Sequence, residues 1–174
     1  MSKERTGVIT FKGNGLTLIG NEIKVGDTAP DFKLLNNGLG EVSLKDSKGK
    51  TRVISVVPSL DTPVCDMQTK RFNTEAAKFP ADIVVLTVST DLPFAQARWC
   101  GATSSNKVQT LSDHRDTNFG IAYGVLIKEL RLLTRAIFIV GADDKVKYVE
   151  YVKEVTNHPD YDKALNSLKT AAKA

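Results

Sequence analysis

The 174-residue chain is poor in the residues that most often carry chemistry, with two cysteines, two histidines and one tryptophan. His114 and His158 are far apart, and neither has a cysteine, histidine or carboxylate partner at metal-ligand spacing, so we expect no metal site. The spacing of Cys65 and Cys100 is not the Cys-x-x-Cys of dithiol reductases. A papain-like Cys–His protease would need a histidine that reaches Cys65, which the sequence does not show, and the context Thr62-Pro63-Val64-Cys65 is not that of such enzymes.

Long apolar runs are also absent. The longest, such as 53–57 and 136–140, have the length of a strand and cannot span a bilayer. The formal charge is only +4, and basic residues alternate with acidic ones, so we expect neither a membrane nor a nucleic acid as partner. The charged N-terminus has no apolar signal segment after it, which indicates the cytoplasm, where a disulfide is more often catalytic than structural.

The order of sequence patterns predicts one α/β domain over residues 1–174. A strand–helix–strand crossover, a second strand pair and a terminal helix indicate a central mixed β-sheet flanked by helices, the thioredoxin-like arrangement. The predicted elements are a hairpin around Gly13-Asn14-Gly15, strands 52–57 and 83–89, helices 62–79 and 92–100, a hairpin of 135–141 with 145–151, and a helix at 161–172. For the second helix, Asp91 is the expected N-cap, and Gly101 is expected to lie beyond its end.

Cys65 occupies the most informative stretch, where a buried strand leads into a helix. Thr62 suits the N-cap and Pro63 the first helical position, so Cys65 falls at the third. Unpaired N–H groups and the helix dipole favour a negative charge there, and the thiolate is the reactive form of cysteine. We expect Pro58 to rigidify the preceding loop and to keep water from the sulfur. The alternative is that Cys65 is a small buried apolar residue.

Cys100 is predicted in the opposite setting, at the end of a short helix, where the dipole discourages ionisation. This asymmetry suggests that Cys65 is oxidised first to a sulfenic acid and that Cys100 then condenses with it. Because a disulfide needs close Cα atoms, two cysteines that begin inside helices require local unwinding in each turnover. The alternative is that Cys100 only packs beside Phe94 and Trp99.

Arg135 begins an apolar strand, where a guanidinium is costly unless it meets an anion. Its fork of donors can hold both a thiolate and a peroxide oxygen. The alternative is a surface arginine at a strand edge, and sequence spacing does not favour Arg135 over Arg52 or Arg131.

These residues match a known pattern. Pro58-x-x-x-Thr62-x-x-Cys65 resembles the active-site signature of peroxiredoxins. The stretch from Asp91 to Cys100 resembles the resolving-cysteine segment of bacterial thiol peroxidases, an atypical 2-Cys subfamily. Segments 111–115 and 123–125 are also similar to that subfamily.

The resemblance implies an antioxidant peroxidase that reduces hydrogen peroxide and organic hydroperoxides with no cofactor. It implies an intramolecular Cys65–Cys100 disulfide, thioredoxin as reductant and a homodimer. It assigns Arg135 as the active-site arginine and Thr62 as a hydrogen-bond partner of the thiolate or peroxide. Two other functions stay open at this point: a redox sensor that uses the same disulfide, and a non-catalytic thioredoxin-like module.

Overall fold

The computed structural model describes residues 2–172. Within this range no helix is long and apolar enough to cross a membrane. The strands are β1 (Glu4–Phe11), β2 (Asn14–Ile19), β3 (Leu34–Leu35), β4 (Glu41–Val42), β5 (Thr51–Val56), β6 (Ile83–Ser89), β7 (Gln109–Ser112), β8 (Leu126–Ile127), β9 (Ala136–Val140) and β10 (Val146–Tyr151). The helices are α1 (Pro63–Ala76), α2 (Pro93–Thr103), α3 (Asn118–Ala122) and α4 (Tyr161–Ala171), with a 3-10 turn at Leu44–Ser47.

A seven-stranded sheet in the order β10-β9-β5-β6-β7-β3-β4 forms the centre of the fold. Strands β5, β6 and β7 are parallel, and β9 runs antiparallel to β5 on its other side. Every residue of β5 is buried, as its β-branched sequence predicts for a strand covered on both faces. The predicted mixed sheet and the strand–helix–strand crossover are therefore confirmed.

Alternate residues of the central strands form two apolar layers, one on each face of the sheet. On one face, Val53 and Ile137 pack with Phe72 of α1 and Leu168 of α4. The opposite face carries a larger apolar cluster. In it, the ring of Phe119 in α3 stacks on the ring of Tyr123, the residue after α3, with their centroids 4.3 Å apart. Helices thus cover both faces.

The predicted N-terminal hairpin is present, with Phe11 of β1 paired to Asn14 of β2. Together with β8, these strands form a second sheet of three strands. The carboxylate of Glu154, just after β10, accepts hydrogen bonds from the Thr10 hydroxyl and from the N–H groups of Lys12 and Gly13. These donors hold the pKa of Glu154 far below its ordinary value and fasten the hairpin to the end of β10.

The predicted start of α2 is wrong. Leu92, and not Asp91, is the N-cap, and the helix begins at Pro93. A proline in the first helical position has no N–H to satisfy and a φ that already suits a helix, so this helix starts without a side-chain cap. The carboxylate of Asp91 is engaged elsewhere, in contacts described below.

The predicted end of α2 is also wrong, because Gly101 lies inside the helix. The chain ends the helix at Ser104, which has the left-handed conformation with φ of 53°. The N–H of Ser105 then donates to the carbonyl of Cys100 at 3.1 Å and closes the last turn. Helix α1 is shorter than predicted as well: it ends at Ala76 rather than Phe79, because Pro80 disfavours helical backbone just before it.

Asp113, which follows β7, fixes the start of α3. Its buried carboxylate accepts hydrogen bonds from the N–H groups of Phe119 at 3.2 Å and Gly120 at 2.8 Å. Burial raises the pKa of Asp113 to about 6, against the pull of these N–H groups. The folded chain therefore binds this proton more tightly than the unfolded chain does.

A pH-dependent stability follows from Asp113. The stabilisation due to its bound proton is complete below the unfolded pKa of 3.8 and is lost as the pH rises through about 6. Because Asp113→Asn cannot titrate, its unfolding free energy relative to wild type should rise by about 2 kcal/mol between pH 4 and pH 7. Denaturant unfolding at several pH values measures this difference, and parallel profiles for the two proteins would contradict it.

Candidate active site

Cys65 lies where the sequence predicted, at the third position of α1. Thr62 is the N-cap with extended backbone, and Pro63 is the first helical residue. The Cys65 side chain is fully buried and packs with Val57, Leu60 and other apolar groups beyond the end of β5. The helix amino terminus therefore acts on this sulfur with little screening by solvent.

Arg135 is the arginine that reaches the thiol. Its Nη2 donates to Cys65 Sγ at 3.3 Å, its Nη1 to Gln68 Oε1 at 2.9 Å, and its Nε to the carbonyl of Val155 at 2.9 Å. Only 2% of Arg135 is exposed. No salt bridge among residues 2–172 involves it, so Cys65 is the ionisable group that it contacts directly.

The two other candidate arginines lie elsewhere. Arg52 is fully buried near the amino end of β5, where it pairs with Asp144 at 2.7 Å and donates to backbone carbonyls. Arg131 is exposed, and its guanidinium donates to the hydroxyl of Thr117. Of the three arginines that the sequence could not separate, only Arg135 donates a hydrogen bond to Cys65.

Gln68 is a site residue that the sequence analysis missed. It is fully buried, accepts from Arg135 and donates through Nε2 to Ser55 Oγ of β5 at 2.8 Å. This chain of hydrogen bonds fixes the orientation of the guanidinium against the thiol. The signal in the sequence was the spacing: Gln68 follows Cys65 by three residues, which places both on one face of the helix.

Tyr161 packs against the helix that carries Cys65. It begins α4 and packs edge-on against Phe72 of α1, with ring centroids 5.9 Å apart. Burial raises its pKa, while the positive charges of Arg135 and Arg71 act in the opposite direction. Two guanidinium groups thus lie near this face of α1: Arg135 beside the sulfur and Arg71 over the Tyr161 ring.

Thr62 and Pro58 flank the thiol without contacting it through a hydrogen bond. The exposed Thr62 hydroxyl donates to the carbonyl of Ser59 at 2.9 Å and not to Cys65. Pro58 is buried in the loop between β5 and α1, consistent with its expected role as a rigid part of that loop. No hydrogen bond in residues 2–172 joins a histidine to Cys65: His114 is exposed, and His158 pairs with Tyr161.

Asp91 fastens the loop before Cys65 to the end of β6. Its Oδ1 accepts from the Ser59 hydroxyl at 2.7 Å, and its Oδ2 accepts from the N–H of Leu60 at 2.8 Å and the Ser89 hydroxyl at 2.7 Å. Asp91 also directly precedes α2, the helix that carries Cys100. One carboxylate therefore connects the segments that lead to the two cysteines.

Cys100 lies in the last turn of α2 and is half-buried. It packs at the edge of the apolar cluster that contains Cys65 and Trp99. Next to the two cysteines in sequence, the indole Nε1 of Trp99 on α2 donates to Asp66 Oδ1 on α1 at 2.9 Å, and this bond holds α1 and α2 together. Both thiols are free. Each cysteine lies inside a helix, as the sequence predicted.

Comparison with known proteins adds to this geometry. The redoxin family profile matches residues 24–165. A thiol peroxidase of Halalkalibacterium halodurans is 63% identical over 94% of this chain and 98% of its own length, and one of Bacillus subtilis is 61% identical over 95% and 98%. A crystal structure of a peroxiredoxin-like protein from Aquifex aeolicus is similar, with 42% identity, 98% coverage of both chains and a TM-score of 0.89. The chain belongs to the thiol peroxidases.

Membership in this family confirms the predicted fold and the predicted class of enzyme, a thiol-based peroxidase of the redoxin group. It also directs attention to the contact between the Cys65 sulfur and the Arg135 guanidinium. A buried sulfur beside a buried guanidinium, at the start of a helix, is the chemical feature that a thiol peroxidase needs to keep a reactive thiolate.

The contacts of Asp91 should contribute to the stability of this thiol peroxidase. Asp91→Ala removes the acceptor of three donors in a partly buried position, so the unfolding free energy should fall by about 2–4 kcal/mol. The control is Asp61→Ala on the same loop, whose exposed carboxylate only approaches Arg98 at 3.9 Å. It should change stability by less than about 0.5 kcal/mol. Equal losses in denaturant unfolding of the two variants would contradict this role of Asp91.

Proposed function

We propose that this thiol peroxidase reduces hydrogen peroxide and organic hydroperoxides to water and alcohols with Cys65 as the attacking thiolate. The observation that carries the proposal is the 3.3 Å contact between Arg135 Nη2 and Cys65 Sγ in a buried setting. A guanidinium there stabilises the thiolate before the reaction and can also donate to the peroxide oxygens.

In the first step the Cys65 sulfur attacks the terminal peroxide oxygen. A sulfur–oxygen bond forms as the oxygen–oxygen bond breaks, the sulfur is oxidised to a sulfenic acid, and the alkoxide leaves and takes up a proton. Negative charge moves from the sulfur to the leaving oxygen, so donors fixed near both atoms lower the barrier. Arg135 supplies such donors, and Thr62, at the exposed N-cap, is proposed to donate to the bound peroxide. Pro58 holds the loop that shields the sulfur.

In the second step Cys100 resolves the sulfenic acid. Its sulfur attacks the Cys65 sulfur, a disulfide forms, and the displaced hydroxide leaves as water with the Cys100 proton. The half-buried position of Cys100 beside the Cys65 cluster supports this role. Both cysteines begin inside helices, so the turns that carry them must unwind before the sulfurs can bond.

A dithiol protein must then return the disulfide to two thiols. We propose thioredoxin as that reductant, the cytoplasm as the compartment and a homodimer as the assembly. The resemblance of the cysteine segments to atypical 2-Cys peroxidases supports thioredoxin as the reductant and the homodimer. The cytoplasm is supported by the reducing thiol pool that such a cycle needs.

The role of Arg135 is tested by comparing two arginines. Arg135→Met should lower the rate constant of Cys65 with hydrogen peroxide by about 10²–10³, because it removes the fixed donor beside the sulfur. Arg131→Met, which changes an exposed side chain, should leave that rate within about twofold. Stopped-flow fluorescence of Trp99, the only tryptophan, follows the reaction. Equal rates in the two variants would sink the role assigned to Arg135.

The roles of the cysteines are tested by two serine variants. Cys65→Ser should abolish peroxide reduction, whereas Cys100→Ser should keep the first step and fail to be recycled by thioredoxin. Mass spectrometry after one equivalent of peroxide should show a Cys65–Cys100 link within one wild-type chain. A loss of the first step in Cys100→Ser as large as in Cys65→Ser would reverse the assignment. Oxidation without repeated turnover in the presence of thioredoxin would favour the redox-sensor alternative.

A further inference from the structure

The Cys100 thiol is held by a two-residue hydrogen-bond chain. Its Sγ lies 3.5 Å from the hydroxyl oxygen of Thr110 on β7, and that hydroxyl lies 2.9 Å from Asn37 Oδ1. Thr110 is buried, whereas Cys100, Asn37 and Thr110 all line an open cavity of about 480 Å³. On this side the sulfur therefore meets a specific polar group and is not packed among apolar side chains.

The direction of these hydrogen bonds follows from proton count. A threonine hydroxyl has one proton, and Thr110 donates it to Asn37. A lone pair of the same oxygen then faces Cys100, so the sulfur must be the donor of the second bond. This contact exists only while Cys100 keeps its position in the helix, and it is lost when Cys100 attacks Cys65.

The turn that carries Cys100 is closed by a residue in a conformation that is costly for it. Ser104 has φ of 53° and ψ of 30°, the left-handed region that glycine adopts freely and that other residues rarely adopt. The bond from the Ser105 N–H to the Cys100 carbonyl depends on this conformation. The backbone of the turn is thus weakly closed, and the side-chain contact with Thr110 adds to its stability.

We propose that Thr110, oriented by Asn37, is a positioning residue that holds the resolving thiol in its resting place and so limits the rate of disulfide formation. The inference rests on the proposed role of Cys100. While Cys100 is held, the Cys65 sulfenic acid is exposed to a second peroxide, which would add another oxygen and give the sulfinic acid. Thr110 thereby sets the ratio between resolution and overoxidation.

The test changes the hydroxyl while keeping the shape of the residue. Thr110→Val should speed formation of the Cys65–Cys100 bond by about 2- to 5-fold, the effect of losing one weak S–H···O contact. At high peroxide the ratio of Cys65 sulfinic acid to disulfide should fall by the same factor, with the first step unchanged. Thr110→Ser keeps the hydroxyl and should behave as wild type. Quenched reactions analysed by mass spectrometry measure both products.

A second variant should act in the opposite direction. Ser104→Gly relieves the left-handed cap and stabilises the turn, so the disulfide should form about 2- to 5-fold more slowly, with more sulfinic acid. If Thr110 had a purely structural role, Thr110→Val would lower thermal stability and leave the ratio of sulfinic acid to disulfide unchanged.

The outcomes separate two failures. If the wild type forms the disulfide and Thr110→Val forms it no faster, the inference about Thr110 is wrong and the proposed function stands. If the wild type reduces peroxide without forming the disulfide, the resolving role of Cys100 fails, and the role of Thr110 fails with it.

Discussion

The contact between the Arg135 guanidinium and the Cys65 sulfur is the interaction on which the rest of the site depends. A buried guanidinium is unstable unless its donors are used, and here they are used by a carbonyl, an amide oxygen and a sulfur. The first two partners are neutral. The third partner is the Cys65 sulfur, so the proposed thiolate would place a negative charge beside a guanidinium that has no salt-bridge partner among residues 2–172.

The sheet brings the two residues together through its register. Ala136, the first residue of β9, pairs antiparallel with Val56, the last residue of β5. Arg135 therefore stands beside the point where the chain leaves β5 for the loop and α1, whose third residue is Cys65. Gln68, one turn further along α1, reaches back to β5 and fixes the guanidinium between strand and helix. A slip of one residue between β5 and β9 would turn Arg135 away from the thiol.

The sequence was sufficient to predict those elements whose signals lie in neighbouring residues. The start of α1 follows from a threonine and a proline before Cys65, and the buried strands follow from β-branched runs. It was not sufficient to choose Arg135 among three arginines, because that choice depends on antiparallel pairing between distant strands. At Asp91 the local signal for an N-cap was overridden by Pro93, by the neighbouring Ser89 hydroxyl, and by two donors of the loop before Cys65 that only the fold brings close. Gln68 was missed because a glutamine on a helix gives no sign that its neighbour in space is an arginine.

The two steps of the proposed cycle place opposite demands on this structure. The first step needs Cys65 buried, its loop fixed by Asp91 and its helix held to α2 by the contact of Trp99 with Asp66. The second step needs these elements to separate, since the cysteines must leave their helices to bond. A fold that met only the first demand would keep its sulfenic acid until a second peroxide oxidised it further. The left-handed Ser104 locates a weakly closed turn at the carboxyl end of α2, away from the Arg135 contact. In the proposed cycle, reactivity therefore depends on the Arg135 contact and release on the closing turn of α2.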